Sequence, residues 1–140
     1  MQDKNLQPHT HCHTIRIYYE DTDAGGIVYY ANYLKFFERA RTEWLRDLGF
    51  SQHSLLADDI AFVVRHVDMH NHAPALFDDE IIIDTQLSEL KKASMVFTQT
   101  IKKQGNLLVS ASIQVACVKL GRMKPCAIPK NIYKECLRVA

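Results

Sequence analysis

The chain has 140 residues, 47% of them apolar, so one folded domain with a real core is expected and a disordered segment is excluded. Formal net charge is +1, with Lys and Arg interspersed among acids, which argues against a surface that tracks nucleic-acid phosphates. Cys12, Cys117, Cys126 and Cys136 show no CxxC spacing, no apolar leader follows Met1, and no run reaches membrane-spanning length. Free thiols in a cytoplasmic protein are therefore expected.

Residues 1–13 are polar and read as a flexible tail ahead of a single domain over 14–140. His9, His11 and His13 could share one face of an extended segment, yet the tract reads as incidental and no metal site is assigned. From Thr14 to Glu20, Ile15, Ile17 and Tyr19 alternate with polar neighbours, the pattern of a half-buried strand. An acidic turn follows, Asp21-Thr22-Asp23, then Gly25-Gly26, whose backbone is free to take positive φ.

The turn has two readings. In one it is an Asx-type turn with solvated acids. In the other, an acid and the peptide N–H groups near Tyr29 and Tyr30 face one small space. Beyond it, Tyr33, Phe37, Ala40, Trp44 and Leu48 recur at helical spacing. Asn32 is the expected N-cap, Gly49-Phe50 the expected stop, and Arg39 and Glu43 an expected pair.

Residues 51–59 read as a short helix or loop. Ala61 to His70 reads as a strand with Ala61, Val63, Arg65, Val67 and Met69 on one face. His66, His70 and His72 alternate near its solvated end. Strands are then expected over Ile81–Glu89, Ser94–Lys102 and Leu107–Val118, with turns at residues 90–93 and 104–106. A short helix around residues 132–139 closes the chain. One strand, a long helix and a run of strands make an α+β fold, in which a curled antiparallel sheet of five to six strands wraps one long helix. Its long edge strands call for pairing, which a homodimer supplies.

The segments YYEDTDAGGIVYYANY, FERARTEWLRDLGFSQ, AFVVR, VFTQTI and MKPCAIP occur in order between Arg16 and Ile132. Together they resemble the 4-hydroxybenzoyl-CoA thioesterase family of hotdog-fold enzymes, and most closely the subgroup associated with the Tol–Pal system. That resemblance implies hydrolysis of a short- or medium-chain acyl-CoA to acid and CoA. It implies no cofactor, CoA being part of the substrate, and a homodimer, often paired into a tetramer, with active sites at the subunit boundary.

By motif position, Asp23 matches the catalytic acid and the Tyr30 backbone N–H the group that polarises the thioester carbonyl. Whether Asp23 serves as general base or nucleophile is left open. Asp21 reads as a cap for the turn. Lys91, Lys92 and Lys124 match positions that contact CoA phosphates. Tyr30 departs from the subgroup, which carries His there. A dehydratase would need a His near the helix, and none occurs between His13 and His53. The alternative is a non-catalytic or weakly catalytic module that binds acyl-carrier protein or envelope and cell-division partners.

Overall fold

The computed structural model describes residues 10–140. In chain order the elements are β1 (Thr10–Arg16), a 3-10 turn (Tyr19–Asp21), α1 (Asn32–Asp47), α2 (Gln52–Ala57), β2 (Ile60–Asn71), β3 (Glu80–Leu90), β4 (Ser94–Lys103), β5 (Asn106–Lys119), β6 (Lys124–Pro125) and α3 (Lys130–Val139). The strands form one sheet in the order β1-β3-β4-β5-β2, with β6 paired to β5. Every pairing is antiparallel. This is the hotdog arrangement.

β1 starts four residues earlier than the sequence suggested. Residues 10–13, assigned to the tail, pair with β3 from Thr10↔Gln86 to His13↔Ile83. Their polar side chains hid a strand whose cohesion comes from ladder hydrogen bonds rather than from apolar burial. His9 and the remainder of the tail lie outside the described residues.

α1 buries Tyr33, Phe36, Phe37, Ala40, Trp44 and Leu45. At 16 residues and about 1.5 Å per residue it runs on the order of 24 Å. Its stop is the expected one. Gly49 takes φ +97°, its N–H donates to Arg46 O, and the Phe50 N–H donates to Leu45 O, a Schellman closure. The start differs. Asn32 is the first helical residue, and its side-chain Nδ2 donates to Asp21 O at 2.9 Å instead of capping the helix. That bond ties the helix start to the acidic turn. Glu43 pairs with Arg46 at 3.4 Å rather than with Arg39.

β2 carries a bulge between Val64 and His66. Because cross-strand partners share a face, pairing with the β5 face that carries the groove-lining Ile113 and Val115 shows which side chains point inward. Phe62 and Val64 lie opposite Cys117 and Val115, while beyond the bulge Val67 and Met69 lie opposite Ile113 and Ala111. The extra residue breaks the strict alternation expected over 61–70. Val63 and Val67 therefore do not share a face. His66 and His70 point to the other side, opposite Gln114 and Ser110.

The helix lies over β3 and β1. The β5–β2 side of the same face is left open as a groove of about 480 Å³, floored by Phe62, Val67, Met95, Phe97, Ile113 and Val115.

Candidate active site

The chain leaves β1, makes its 3-10 turn, and reverses through Asp23 and the glycine pair. Asp21 Oδ2 accepts the Tyr18 N–H at 2.9 Å, and Asp21 O accepts both the Tyr29 N–H and Asn32 Nδ2. Asp21 is thus a clasp for the turn. Asp23 Oδ1 accepts the Gly25 N–H at 3.0 Å, an Asx-type bond, while the Asp23 N–H donates to Ile27 O at 2.9 Å and the Gly26 N–H to Asp23 O at 3.1 Å. Gly26 sits at φ +75°, where a side chain would be strained. One Asp23 carboxylate oxygen is tied into the turn, and the residue as a whole is exposed.

The two amides singled out in the sequence part ways. The Tyr29 N–H is spent on Asp21 O, but the Tyr30 N–H has no acceptor among the described residues. A free N–H at the leading end of a 16-residue helix combines a hydrogen-bond donor with the positive end of the macrodipole. The Tyr30 ring is exposed and tilts against Tyr29 at 5.3 Å.

Beside this amide is a cavity of about 340 Å³, lined by Ile27, Val28, Tyr30, Tyr33, His72 and Pro74 with Asn71 and Ala73. Asp23 is outside the lining, one hydrogen bond away through Ile27. Asn71, His72 and Pro74 were not foreseen, because only the fold brings the end of β2 to the start of α1. Tyr33 Oη accepts the Ala75 N–H at 3.0 Å, and burial pushes the phenol upward, so it stays neutral.

The loop after β2 backs the turn through the Phe77 N–H to Gly26 O and the Val28 N–H to Ala75 O. Asp79 anchors that loop by accepting the Leu76 N–H. Burial alone would raise its pKa, but Lys103 at 2.8 Å and the Leu76 N–H outweigh it and hold the carboxyl below the usual range.

Lys91 and Lys92 lie in the β3–β4 turn and Lys124 on β6. These segments share one end of the sheet, since the Ile128 N–H donates to Lys92 O and Lys124 pairs with Lys119. Lys91 also contacts Glu89 at 3.2 Å. The acidic turn is at the opposite end. β3, with 11 residues at about 3.3 Å each, puts the two on the order of 35 Å apart within one chain. The structure therefore places the lysine-bearing segments at one end of the sheet and does not bring them to Asp23 in the same subunit.

The hotdog scaffold thus carries a carboxylate on a glycine turn and an unsatisfied amide at a helix start, with a cavity lined by Tyr30 beside it. The chain belongs to the thioesterase-like superfamily, whose model matches residues 18–135. It is 49% identical to an acyl-CoA thioesterase YbgC of Haemophilus influenzae over 84% of this chain and 88% of that one. Identity is also 49% to an acyl-CoA thioester hydrolase YbgC of Escherichia coli O157:H7, over 86% of this chain and 91% of that one. Among solved structures, a probable thioesterase from Bartonella henselae superposes with a TM-score of 0.82 at 38% identity, covering 86% of this chain and all of that one.

Proposed function

We propose that this protein hydrolyses acyl-CoA thioesters of short or medium chain length to carboxylic acid and CoA. The observation that carries the reading is the unsatisfied Tyr30 N–H at the leading end of α1, which follows the exposed Asp23 across the glycine pair. The substrate carbonyl accepts from this amide, which strengthens its hold as negative charge gathers on oxygen. Asp23 then either takes a proton from attacking water or itself attacks the acyl carbon. The C–S bond breaks and CoA departs as a thiolate that takes up a proton; on the nucleophilic route water then hydrolyses the mixed anhydride, releasing the acid and restoring Asp23.

The phosphates of CoA would be met by Lys91, Lys92 and Lys124 of a second copy. β2 is an exposed edge strand, with Val64 49% exposed. Antiparallel pairing of two β2 edges about a two-fold axis exchanges the ends of the sheets, bringing a partner's lysine end to this chain's acidic turn. We accordingly infer a homodimer, with further pairing into a tetramer open to the same symmetry. Four free thiols suit a reducing cytoplasm.

The test is thiol release across a panel of acyl-CoAs, with acyl-carrier-protein thioesters in parallel. Turnover of short or medium acyl-CoA supports the reading. Binding of acyl-carrier protein without any thiol release would replace it with the scaffold alternative.

A further inference from the structure

Two of the four cysteines touch. Cys117, on β5, and Cys126, just after β6, have sulfurs 3.6 Å apart. The backbone sets this contact. β6 pairs with β5 through Val118↔Pro125 and Lys119↔Lys124, and one step further along the Cys126 N–H donates to Cys117 O at 2.9 Å. Opposed residues of an antiparallel pair have Cα atoms about 4.5–5.5 Å apart, inside the range that a disulfide spans. Closing the bond requires the sulfurs to draw together to about 2 Å.

The two thiols are not equivalent. Cys117 is 0% exposed, and burial, together with the Cys126 sulfur beside it, keeps its proton on. Cys126 is half-buried, so solvent reaches it first. The other two thiols have different neighbours, Cys12 donating to Asp84 Oδ1 and Cys136 to Met95 Sδ. A reachable sulfur backed by a protected thiol is the arrangement that traps a sulfenic acid as a disulfide before it oxidises further. The surroundings supply a second observation. Lys124 lies two residues before Cys126, and two residues after it the Ile128 N–H donates to Lys92 O. The sulfur pair therefore holds the segment that joins two of the lysines proposed for the CoA phosphates.

We propose that Cys117 and Cys126 are a redox pair that a hydroperoxide closes to a disulfide, and that closure weakens CoA binding while leaving the chemistry at Asp23 alone. The effect on CoA rests on the thioesterase reading; the crosslink does not. Cys126 attacks the peroxide, the O–O bond breaks, and the thiol proton leaves with the departing oxygen as alcohol or water, so that Cys126 becomes a sulfenic acid. The Cys117 thiol then attacks that sulfur, the S–O bond breaks, and the hydroxyl leaves with the Cys117 proton as water. One hydroperoxide is reduced, two thiols are oxidised, and a dithiol reductant reverses the change. Closure draws residue 126 towards β5 and fixes it there, which alters the spacing of Lys124 and Lys92. The acidic turn and Tyr30, at the opposite end of the sheet, keep their geometry.

Two measurements test this, and the first needs no turnover. Reduced protein is treated with a small excess of hydrogen peroxide, quenched, unfolded and digested for peptide mapping. Cys117 should be found linked to Cys126, in the wild type and equally in Cys12→Ser, which removes the exposed thiol. Dithiothreitol should reopen the link. Cys126→Ser, altered at the half-buried partner so that the core stays filled, should show no internal link. A sulfinic acid on Cys126 without a crosslink, or a link between other cysteines, overturns the proposal.

The second measurement is acyl-CoA hydrolysis by reduced and by oxidised protein, followed by loss of thioester absorbance so that no thiol reagent disturbs the link. Oxidation should raise KM about three- to tenfold with kcat unchanged, and dithiothreitol should reverse the rise. Cys126→Ser should keep its KM through the same treatment. A crosslinked protein with unchanged KM overturns the regulation. Failure of the reduced protein to hydrolyse any acyl-CoA sinks the thioesterase reading by itself. The crosslink is then judged by the mapping, and its effect by calorimetric affinity for CoA, where an unchanged value again overturns the regulation.

Discussion

At the scale of single residues, the proposed mechanism divides the site into groups that would act through side chains and groups that would act through backbone. Asp23 is of the first kind. Asp23→Asn keeps the Gly25 bond, since an amide oxygen still accepts, but removes the negative charge. We expect kcat to fall by about 10²-fold or more with the thermal midpoint unchanged, and wild-type turnover in a folded variant would remove Asp23 from the chemistry. Tyr30 is of the second kind. Tyr30→Phe should stay within about threefold of wild type in kcat, because the amide survives any replacement except proline. A larger loss would assign work to the phenol.

Buried thiols give the pH prediction. Burial pushes Cys117 up to about 12, with the Cys126 thiol 3.6 Å away adding to the effect, and burial pushes Cys136 up to about 11. Both exceed the 9.0 of a free thiol. The unfolded chain therefore ionises these thiols first as pH rises, and the stability they supply is complete below about pH 9 and drains away between there and their folded values. Urea midpoints should decline across that interval, and replacing Cys117 and Cys136 with Ala and Val should flatten the decline. At pH 8 the same two thiols should resist alkylation in the native protein and react after denaturation.

At the scale of elements, most of the fold was legible because its signals are local. The alternation of Ile81, Ile83 and Leu87 and the spacing of Phe37, Ala40 and Trp44 record burial directly, and all six are buried. The Gly49 stop was legible for the same reason, since the left-handed turn needs glycine whatever surrounds it. Gly49→Ala should therefore cost about 1 kcal/mol by chemical denaturation, with the C-terminal turn of α1 fraying first. What failed was whatever depended on a distant segment. The strand over residues 10–13 is polar and forms because β3 offers a ladder. Asn32 looked like a cap because its true acceptor, Asp21 O, belongs to another part of the chain. The β2 bulge reassigns inward faces without leaving a mark in composition. The Arg41–Gln99 contact joins residues 58 apart and had no sequence signal at all.

At the scale of the whole molecule, the open question is why the lysine end and the acidic end are so far apart. If one subunit's lysines serve its partner's Asp23, two defective chains should repair each other. Consider Asp23→Asn on one chain and the triple variant Lys91→Ala, Lys92→Ala, Lys124→Ala on another. Alone, the first lacks the acid and the second binds CoA weakly, which should raise KM and sharpen the dependence on salt. When equal amounts are unfolded and refolded together, random pairing makes about half the dimers mixed. Each mixed dimer holds one site with an intact acid facing intact lysines and one site with neither. At substrate well below KM the mixture should recover about a quarter of wild-type kcat/KM, well above the average of the two parents. Lysines acting within their own chain predict no gain on mixing, because the mixed dimer would then contain no complete site. The recovered activity should also follow protein concentration through the dimer dissociation, and an added Val64→Lys on both chains, placing like charges along the paired β2 edges, should abolish it together with the dimer.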